Sequence, residues 1–350
     1  MTHKITAIKE LKRLIDDREY VDDLTISTKT NMEKLLPHFT DLTSLKFLSQ
    51  FDQLVDLSKF TNLKYLKFGH WYDQVTDLLM LTNLTYLEFG HRYDQVTDLS
   101  NCTNLTYLKF GNSYDQFTDL STLLNLQHLE FGYLYNVLID LSTLLNLKHL
   151  KFGTCYNKHT NLSTLLNLQH LEFGDYYDKP TDLSKCANLK YLEFGDDYNK
   201  SIDLSQCSKL KKLRVKKNYN KLMDLAKCIN LKQINFGSEY DQETDLLNCT
   251  KLTWLSFGNN YNKLTDLTKC TTLKHLNFGQ KYNQLTNLSK CIKLSSVFFG
   301  KYYNQPTNLS NLANLIYVVF GQKYDQLTDL SNCQNLQHKS EFIGKTNFIL

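Results

Sequence analysis

The amino-acid sequence predicts an α/β solenoid: right-handed coils that each give one parallel strand, joined through a short 3-10 or irregular convex side, with an amphipathic helix covering the first coil. Three observations lead there. A glycine recurs at Gly69, Gly90, Gly111, Gly132, Gly153, Gly174 and Gly195, is replaced once by Lys216, and returns from Gly237 to Gly321, always in steps of 21 residues. A unit this short encloses no core of its own, so each coil has to bury its apolar side against its neighbours. The second observation is that Leu63, Leu66 and Phe68, with their equivalents in later coils, spell L-x-x-L-x-F. Its alternating end is that of a strand buried on one face, with Tyr65 and Lys67 pointing outward. The third is that no insertion interrupts the period, so thirteen or fourteen rungs about 4.8 Å apart make a ladder of about 60–65 Å.

The chain divides accordingly. Ile5, Ile8, Leu11, Leu14 and Ile15 recur at helical spacing and predict a capping helix within residues 1–20. Residues 21–338 hold a single solenoid of about fifteen repeats, weak copies of the motif reaching back to Leu45 and Leu24. Residues 339–350 break the pattern and supply Phe342, Ile343, Phe348, Ile349 and Leu350 as a C-terminal cap or tail. Open ends of a solenoid need such covers.

Inside a coil, the residue after the strand is Gly69, expected at a turn that a Cβ would hinder. Tyr72 then starts a column that stays tyrosine through Tyr324, followed by Asp or Asn and usually Gln or Lys. Next comes Thr76-Asp77-Leu78, in which Asp77 is placed to accept the backbone N–H groups of a short turn, as an N-cap does. Few residues remain before the next strand, room for a 3-10 turn and no real helix. In the coil from Leu84 to Asn104, the predicted core is Leu84, Leu87, Phe89, Leu99 and Cys102.

With these residues in view, the pattern resembles leucine-rich repeats. "LEFGDYYDKPTDL" and "VFFGKYYNQPTNL" are similar to the FNIP class of short leucine-rich-like repeats found in social amoebae and giant viruses. The resemblance covers nearly the whole chain. It departs in using tyrosine for the second aromatic and in keeping the proline only at Pro180 and Pro306. Some members of that class carry an N-terminal F-box and are substrate receptors for ubiquitination. Residues 1–40 show no evident F-box, so an adaptor site there stays an alternative and no more.

Composition narrows the function. The net charge of +4 is too mild for bulk electrostatics to mark a nucleic-acid binder. No apolar run has signal-peptide or membrane-span length, which points to a cytoplasmic protein with no membrane partner. Eight of the nine cysteines share one column with leucines such as Leu81 and Leu123, the mark of a buried apolar slot and not of converging metal ligands. The threonine column, interrupted by Ile139, Ile202 and Met223, is a single rank and so no ice-binding surface. No nucleophile elbow, phosphate loop or zinc-protease motif is present, and neither catalysis nor a cofactor is expected.

What remains is a binding face. One outward column reads Tyr65, Tyr86, Tyr107, His128, His149, His170, Tyr191, Lys212, then Trp254, His275 and Tyr317. Like side chains in register on a sheet are expected to stack on one another, and rigid aromatics on a flat face also suit a protein partner, from a host or otherwise. The three histidines raise the question of a metal, but no carboxylate is expected to converge on them and no metal site is expected. A second column, Lys67, Glu88, Lys109, Glu130, Lys151, Glu172, alternates in sign and should form cross-strand ion pairs. The pattern lapses at residues 209–221, where Lys212, Arg214 and Lys216 head a basic coil that is either a drifted repeat, its charge offset by neighbouring Glu193 and Glu172, or a patch suited to an acidic or phosphate-bearing ligand, nucleic acid included. Beyond it the second column turns apolar at Phe298 and Val319, a patch for a partner or for the C-terminal tail to cover. The leading expectation is a non-enzymatic protein-interaction scaffold.

Overall fold

The structure of the protein is a computed structural model, which describes residues 2–5, 8–17, 19–26, 36–337 and 348–349. The chain forms two compact units, Met1–Gly174 and Asp175–Leu350. The first contains strands β1 (Thr2–Ile5), β2 (Asp23–Ile26), β3 (Ser44–Phe47), β4 (Tyr65–Lys67), β5 (Tyr86–Glu88), β6 (Tyr107–Lys109), β7 (His128–Glu130), β8 (His149–Lys151) and β9 (His170–Glu172), with helix α1 (Ile8–Asp16) between β1 and β2. Each strand pairs in parallel with the next at a register of 21 residues. The second unit repeats the plan with β10 (Tyr191–Phe194), β11 (Lys212–Val215), β12 (Gln233–Asn235), β13 (Trp254–Ser256), β14 (His275–Asn277), β15 (Ser296–Phe298) and β16 (Tyr317–Val319). Both units are parallel β-solenoids with turns on the side away from the strands. There, consecutive bonds such as Leu81 N–H to Leu78 O and Leu84 N–H to Leu81 O close short turns, and one 3-10 turn spans Leu36–His38.

The N-terminus holds one coil more than the repeat pattern showed. Ile5, expected in a helix, lies in β1 opposite Ile26, in the column that becomes Phe47 and Phe68. Helix α1 follows it and buries Leu11 and Leu14. At the other end, a short β17 (Thr328–Asp329) pairs with β18 (Phe348–Ile349), while Phe342 and Ile343 of the expected cap lie outside the described residues.

Burial repeats coil by coil. In the coil from Leu84, Leu84, Leu87, Phe89, Leu99 and Cys102 are all at most 2% exposed, as expected. The tyrosine column belongs to this core as well: every member from Tyr72 to Tyr324 is at most 1% exposed. Where the coil supplies a threonine four residues on, the phenol is satisfied internally. Tyr72 donates to Thr76 Oγ1 at 2.9 Å, and that hydroxyl donates on to Gln74 O at 2.9 Å. The threonine column is therefore buried, as the acceptor for the tyrosines. The Asp or Asn after each tyrosine links neighbouring coils: Asp73 Oδ1 accepts both the Asp94 N–H (2.9 Å) and the Gln95 side-chain amide (3.0 Å). Asparagines on the turn side do the same, Asn104 Nδ2 donating to Thr82 O at 2.9 Å. Asp77 accepts the Leu79 N–H at 2.9 Å, the expected turn bond.

The glycine column has a different reason from the expected one. At Gly90 the backbone is not left-handed; instead, a Cβ would lie 1.9 Å from Gly69 O of the preceding coil. Close backbone approach, not turn conformation, selects glycine. Where strand pairing runs one residue further, at Phe194 opposite Val215, the next residue is Lys216.

The tyrosine relay yields a paired prediction. In the coils where the threonine is Ile139 or Met223, the hydroxyls of Tyr135 and Tyr219 are buried without a partner. Tyr219→Phe should leave stability unchanged or raise it by about 1 kcal/mol, because an unsatisfied buried hydroxyl costs about 1–3 kcal/mol. Tyr282→Phe, which removes a 2.7 Å bond to Thr286, should lower it by about 1 kcal/mol. Urea unfolding midpoints check both; equal losses at the two sites would show that the relay contributes nothing.

Candidate functional site

Strand alternation sends the residues at Tyr65 and Lys67, and their equivalents, to the same outer face of the sheet. In the first unit the predicted column is only half-exposed, because its rings are spent on one another. Tyr65 stacks on Tyr86 and Tyr86 on Tyr107 at 4.3 Å, Tyr107 on His128 at 4.2 Å, His128 on His149 at 3.9 Å and His149 on His170 at 4.1 Å. A partner meets ring edges there, not six free faces.

The neighbouring column forms the expected ion pairs: Lys67–Glu88 at 2.7 Å, Lys109–Glu130 at 3.2 Å and Lys151–Glu172 at 2.7 Å. The same carboxylates also reach sideways to the ring column. Tyr86 donates to Glu88 at 2.8 Å, and His128 Nε2 and His170 Nε2 each lie 2.6 Å from the glutamate two residues on. The bond to His128 is the main reason the Glu130 pKa is held down to about 2. Burial opposes the charge of Glu172, yet the bonds from His170 and Lys151 prevail and hold it at about 2. Burial, with the neighbouring histidines His128 and His170, pushes His149 down to about 4.

These contacts correct the expectation that no carboxylate converges on the histidines. The ligand atoms of His128, Glu130 and His149 lie within 4.8 Å of one another. The signal was present in the sequence: His128-Leu129-Glu130 is an i, i+2 pair on one strand, so both side chains share a face, with His149 one rung away. The eight column cysteines, by contrast, are buried in the core with free thiols. Burial pushes Cys186, Cys228, Cys249 and Cys270 up to about 12, which makes them inert.

In the second unit, Tyr191 is half-buried and donates to Glu193, itself only 8% exposed. Arg214 and Lys216 point at Glu193 from 3.6 and 3.4 Å, and Lys216 bonds Asp175 at 2.8 Å. Burial works against the Lys216 charge, but the Asp175 bond and the two carboxylates outweigh it and raise its pKa. Lys212 lies 4.9 Å over the Tyr191 ring, and Lys209 donates to Asn188 at 2.7 Å. The basic coil is thus partly neutralised by its own neighbours. A hollow of about 460 Å³ opens beside it, lined by Arg214, Lys216, Lys217, Asn235 and Trp254 among others, with Asn235 Oδ1 buried and unpartnered. From the Trp254 wall of the hollow onward the face is more open: Trp254, Phe298 and Tyr317 are 40–42% exposed. His275 sits half-buried between them, 2.7 Å from Ser296 Oγ. The described part of the C-terminal tail, Phe348–Ile349, pairs with Thr328–Asp329 and not with this face.

One surface escaped the sequence reading. The residue before each buried member of the threonine column, Val55 and Ile139 included, points outward, and Leu54, Val75, Val96, Phe117 and Leu138 form an apolar rank 60–70% exposed. In the second unit Leu222, Leu264 and Leu285 take that place and line a groove of about 930 Å³ with Met223 and Leu247. Alternation back from buried Leu99 through Asp98 and Thr97 would have put Val96 outside.

Among the described residues no helix is long and apolar enough to cross a membrane. No protein-family model and no curated protein matches the sequence. Solved structures do. The functional domain of InlJ from Listeria monocytogenes, described as including a cysteine ladder, superposes with a TM-score of 0.65 at 18% identity over 88% of this chain and 67% of that one. The internalin InlF of the same organism gives 0.58 at 19% identity over 86% of this chain and 85% of its own. The leucine-rich-repeat ectodomain of the plant receptor kinase GASSHO1/SCHENGEN3 from Arabidopsis thaliana, in complex with CASPARIAN STRIP INTEGRITY FACTOR 2, gives 0.64 at 15% identity over 94% of this chain but only 44% of that one. At such identities these likenesses establish the fold alone, and the fold is that of a leucine-rich-repeat solenoid.

Proposed function

We propose that this chain is a non-enzymatic protein-interaction scaffold of the FNIP-type leucine-rich class, working in the cytoplasm, and that its partner docks on the strand face of the second unit. The observation that carries the reading is the joining, on one face, of a polar hollow at Arg214 and Lys216 with the exposed rings of Trp254, Phe298 and Tyr317. Exposed aromatics beside an arginine are what interface hot spots are made of. The chemistry that fits is a protein segment carrying a carboxylate next to apolar side chains. A ranked repertoire follows from the same residues. The stacked rings from Tyr65 to His170 form a rigid wall of secondary importance, and ubiquitin-ligase recruitment through residues 1–40 adds nothing the face requires.

Screening a displayed library of random peptides against the intact protein tests this. Enriched peptides should combine acidic and aromatic or aliphatic residues, and Trp254→Ala or Arg214→Ala should each cost at least about 2 kcal/mol, roughly 30-fold in affinity. Peptides that bind both variants as well as the parent would sink the reading. A polyanion or nucleic acid is the second reading for the hollow. Asp175 and Glu193, within 3.6 Å of its two central cations, favour the protein segment. Binding of single-stranded nucleic acid with a steep inverse salt dependence would reverse that preference.

A further inference from the structure

We propose that His128, Glu130 and His149 form a binding site for one divalent transition-metal ion of the zinc type. The three side chains stand on the strand face of the first unit, remote in sequence from the hollow assigned to a partner. Two imidazoles and a carboxylate are the donor set that zinc takes when three protein ligands leave the fourth position open to water. Their ligand atoms fall within 4.8 Å of one another.

A second observation points the same way. His149 Nε2 is buried and has no hydrogen-bond partner, lying 3.6 Å from Glu130 Oε1, beyond hydrogen-bond reach. A metal ion seated beside Glu130 Oε1 satisfies that nitrogen. Glu130 Oε2 is meanwhile held by Lys109 Nζ at 3.2 Å, an outer partner that fixes the carboxylate, while Oε1 takes the 2.6 Å bond from His128 Nε2, which the metal would replace with one bond to each atom. The Lys109 charge opposes a cation, so the site depends on all three ligands acting together. The His128 and His149 rings are stacked at 3.9 Å and 8° in the metal-free arrangement. Metal–nitrogen bonds of about 2.0–2.1 Å require both rings to swivel until their Nε2 atoms converge, a rotation about the soft χ2 torsion of histidine.

Titration of the full-length protein with Zn²⁺ near neutral pH, followed calorimetrically, and with Co²⁺, followed by visible absorption, tests the site. One ion per chain is expected, with Mg²⁺ giving no signal. Glu130→Gln and His149→Phe should each weaken Zn²⁺ binding at least about tenfold. His149→Phe keeps a ring in the stack, and circular dichroism on both variants confirms that they remain folded. A histidine pair away from these strands, His70 and His91, has ring centroids 4.1 Å apart, and a His70→Ala/His91→Ala double variant should bind as the parent does. Absence of Zn²⁺ binding, binding that survives His149→Phe and Glu130→Gln unchanged, or binding lost in the His70/His91 variant would each overturn the assignment.

Discussion

Raising the pH past about 10 is expected to unfold the solenoid in a cooperative step, with most of the tyrosinate absorbance appearing in that step and not before it. Burial pushes Tyr72, Tyr114 and Tyr303 up to about 12, and it moves Tyr219, Tyr240 and Tyr282 in the same direction. For an acid whose folded pKa is raised, the unfolded chain loses its proton first. Stability from these groups is therefore complete below the ordinary value of 10.0 and falls as pH climbs from there toward the folded values. Each such group removes about 1.4 kcal/mol per pH unit. Five acting together remove about 7 kcal/mol per unit, which rivals the whole stability of an ordinary domain, about 5–15 kcal/mol. The column cysteines add to the same trend from a lower onset, since burial pushes Cys102, Cys207 and Cys291 from 9.0 up to about 11. The measurement is parallel far-ultraviolet circular dichroism and tyrosinate absorbance across the alkaline range. A gradual rise in tyrosinate with the dichroism unchanged would mean that the tyrosine column is open to solvent.

Gly258→Ala should be among the most damaging single substitutions of a surface-sized residue in the second unit. Its Cβ would stand 1.7 Å from Gly237 O and 2.3 Å from the Gly237 carbonyl carbon, both backbone atoms. No side-chain rotation relieves such a contact. The coils would have to separate, and separation breaks the strand ladder and the stacked rings of Phe236 and Phe257, whose centroids are 5.4 Å apart. A loss of about 3 kcal/mol or more is expected, at the upper end of overpacking costs. The control is Val96→Ala, at 70% exposure, which should stay within about 0.5 kcal/mol of the parent. Denaturant midpoints measure both; a Gly258→Ala protein as stable as the parent would refute the close approach of successive backbones.

The contrast between Gly90 and Tyr93 shows how far repetition can be read. Both columns were visible as columns, yet their roles were not. A glycine after a strand suggests a turn, and only the coil-to-coil spacing reveals that Gly69 O occupies the place a Cβ would take. A tyrosine in a loop suggests exposure, and only the threonine four residues on, buried beside it, shows where the phenol goes. The Asp73–Asp94 link is equally silent in one coil, because its donor and acceptor are 21 residues apart.

The binding face divides in the same way. Which residues point outward followed from alternation along the strand, and the Lys–Glu pairs followed from alternation between rungs. The stacking of Tyr65 to His170 and the pull of Glu193 on the basic coil followed from the same rung-to-rung alignment, whereas that Asp175 would reach Lys216 and that Glu130 would close on two histidines depended on side-chain reach across rungs. By itself the sequence determined the solenoid, its 21-residue period, its buried leucine, phenylalanine and cysteine columns and the polarity of its turns, because a short repeat has only its neighbours to bury against. Only the tertiary structure decided which outward side chains remain available to a ligand. Availability is set by contacts between residues one or two coils apart, distances that a linear pattern does not contain.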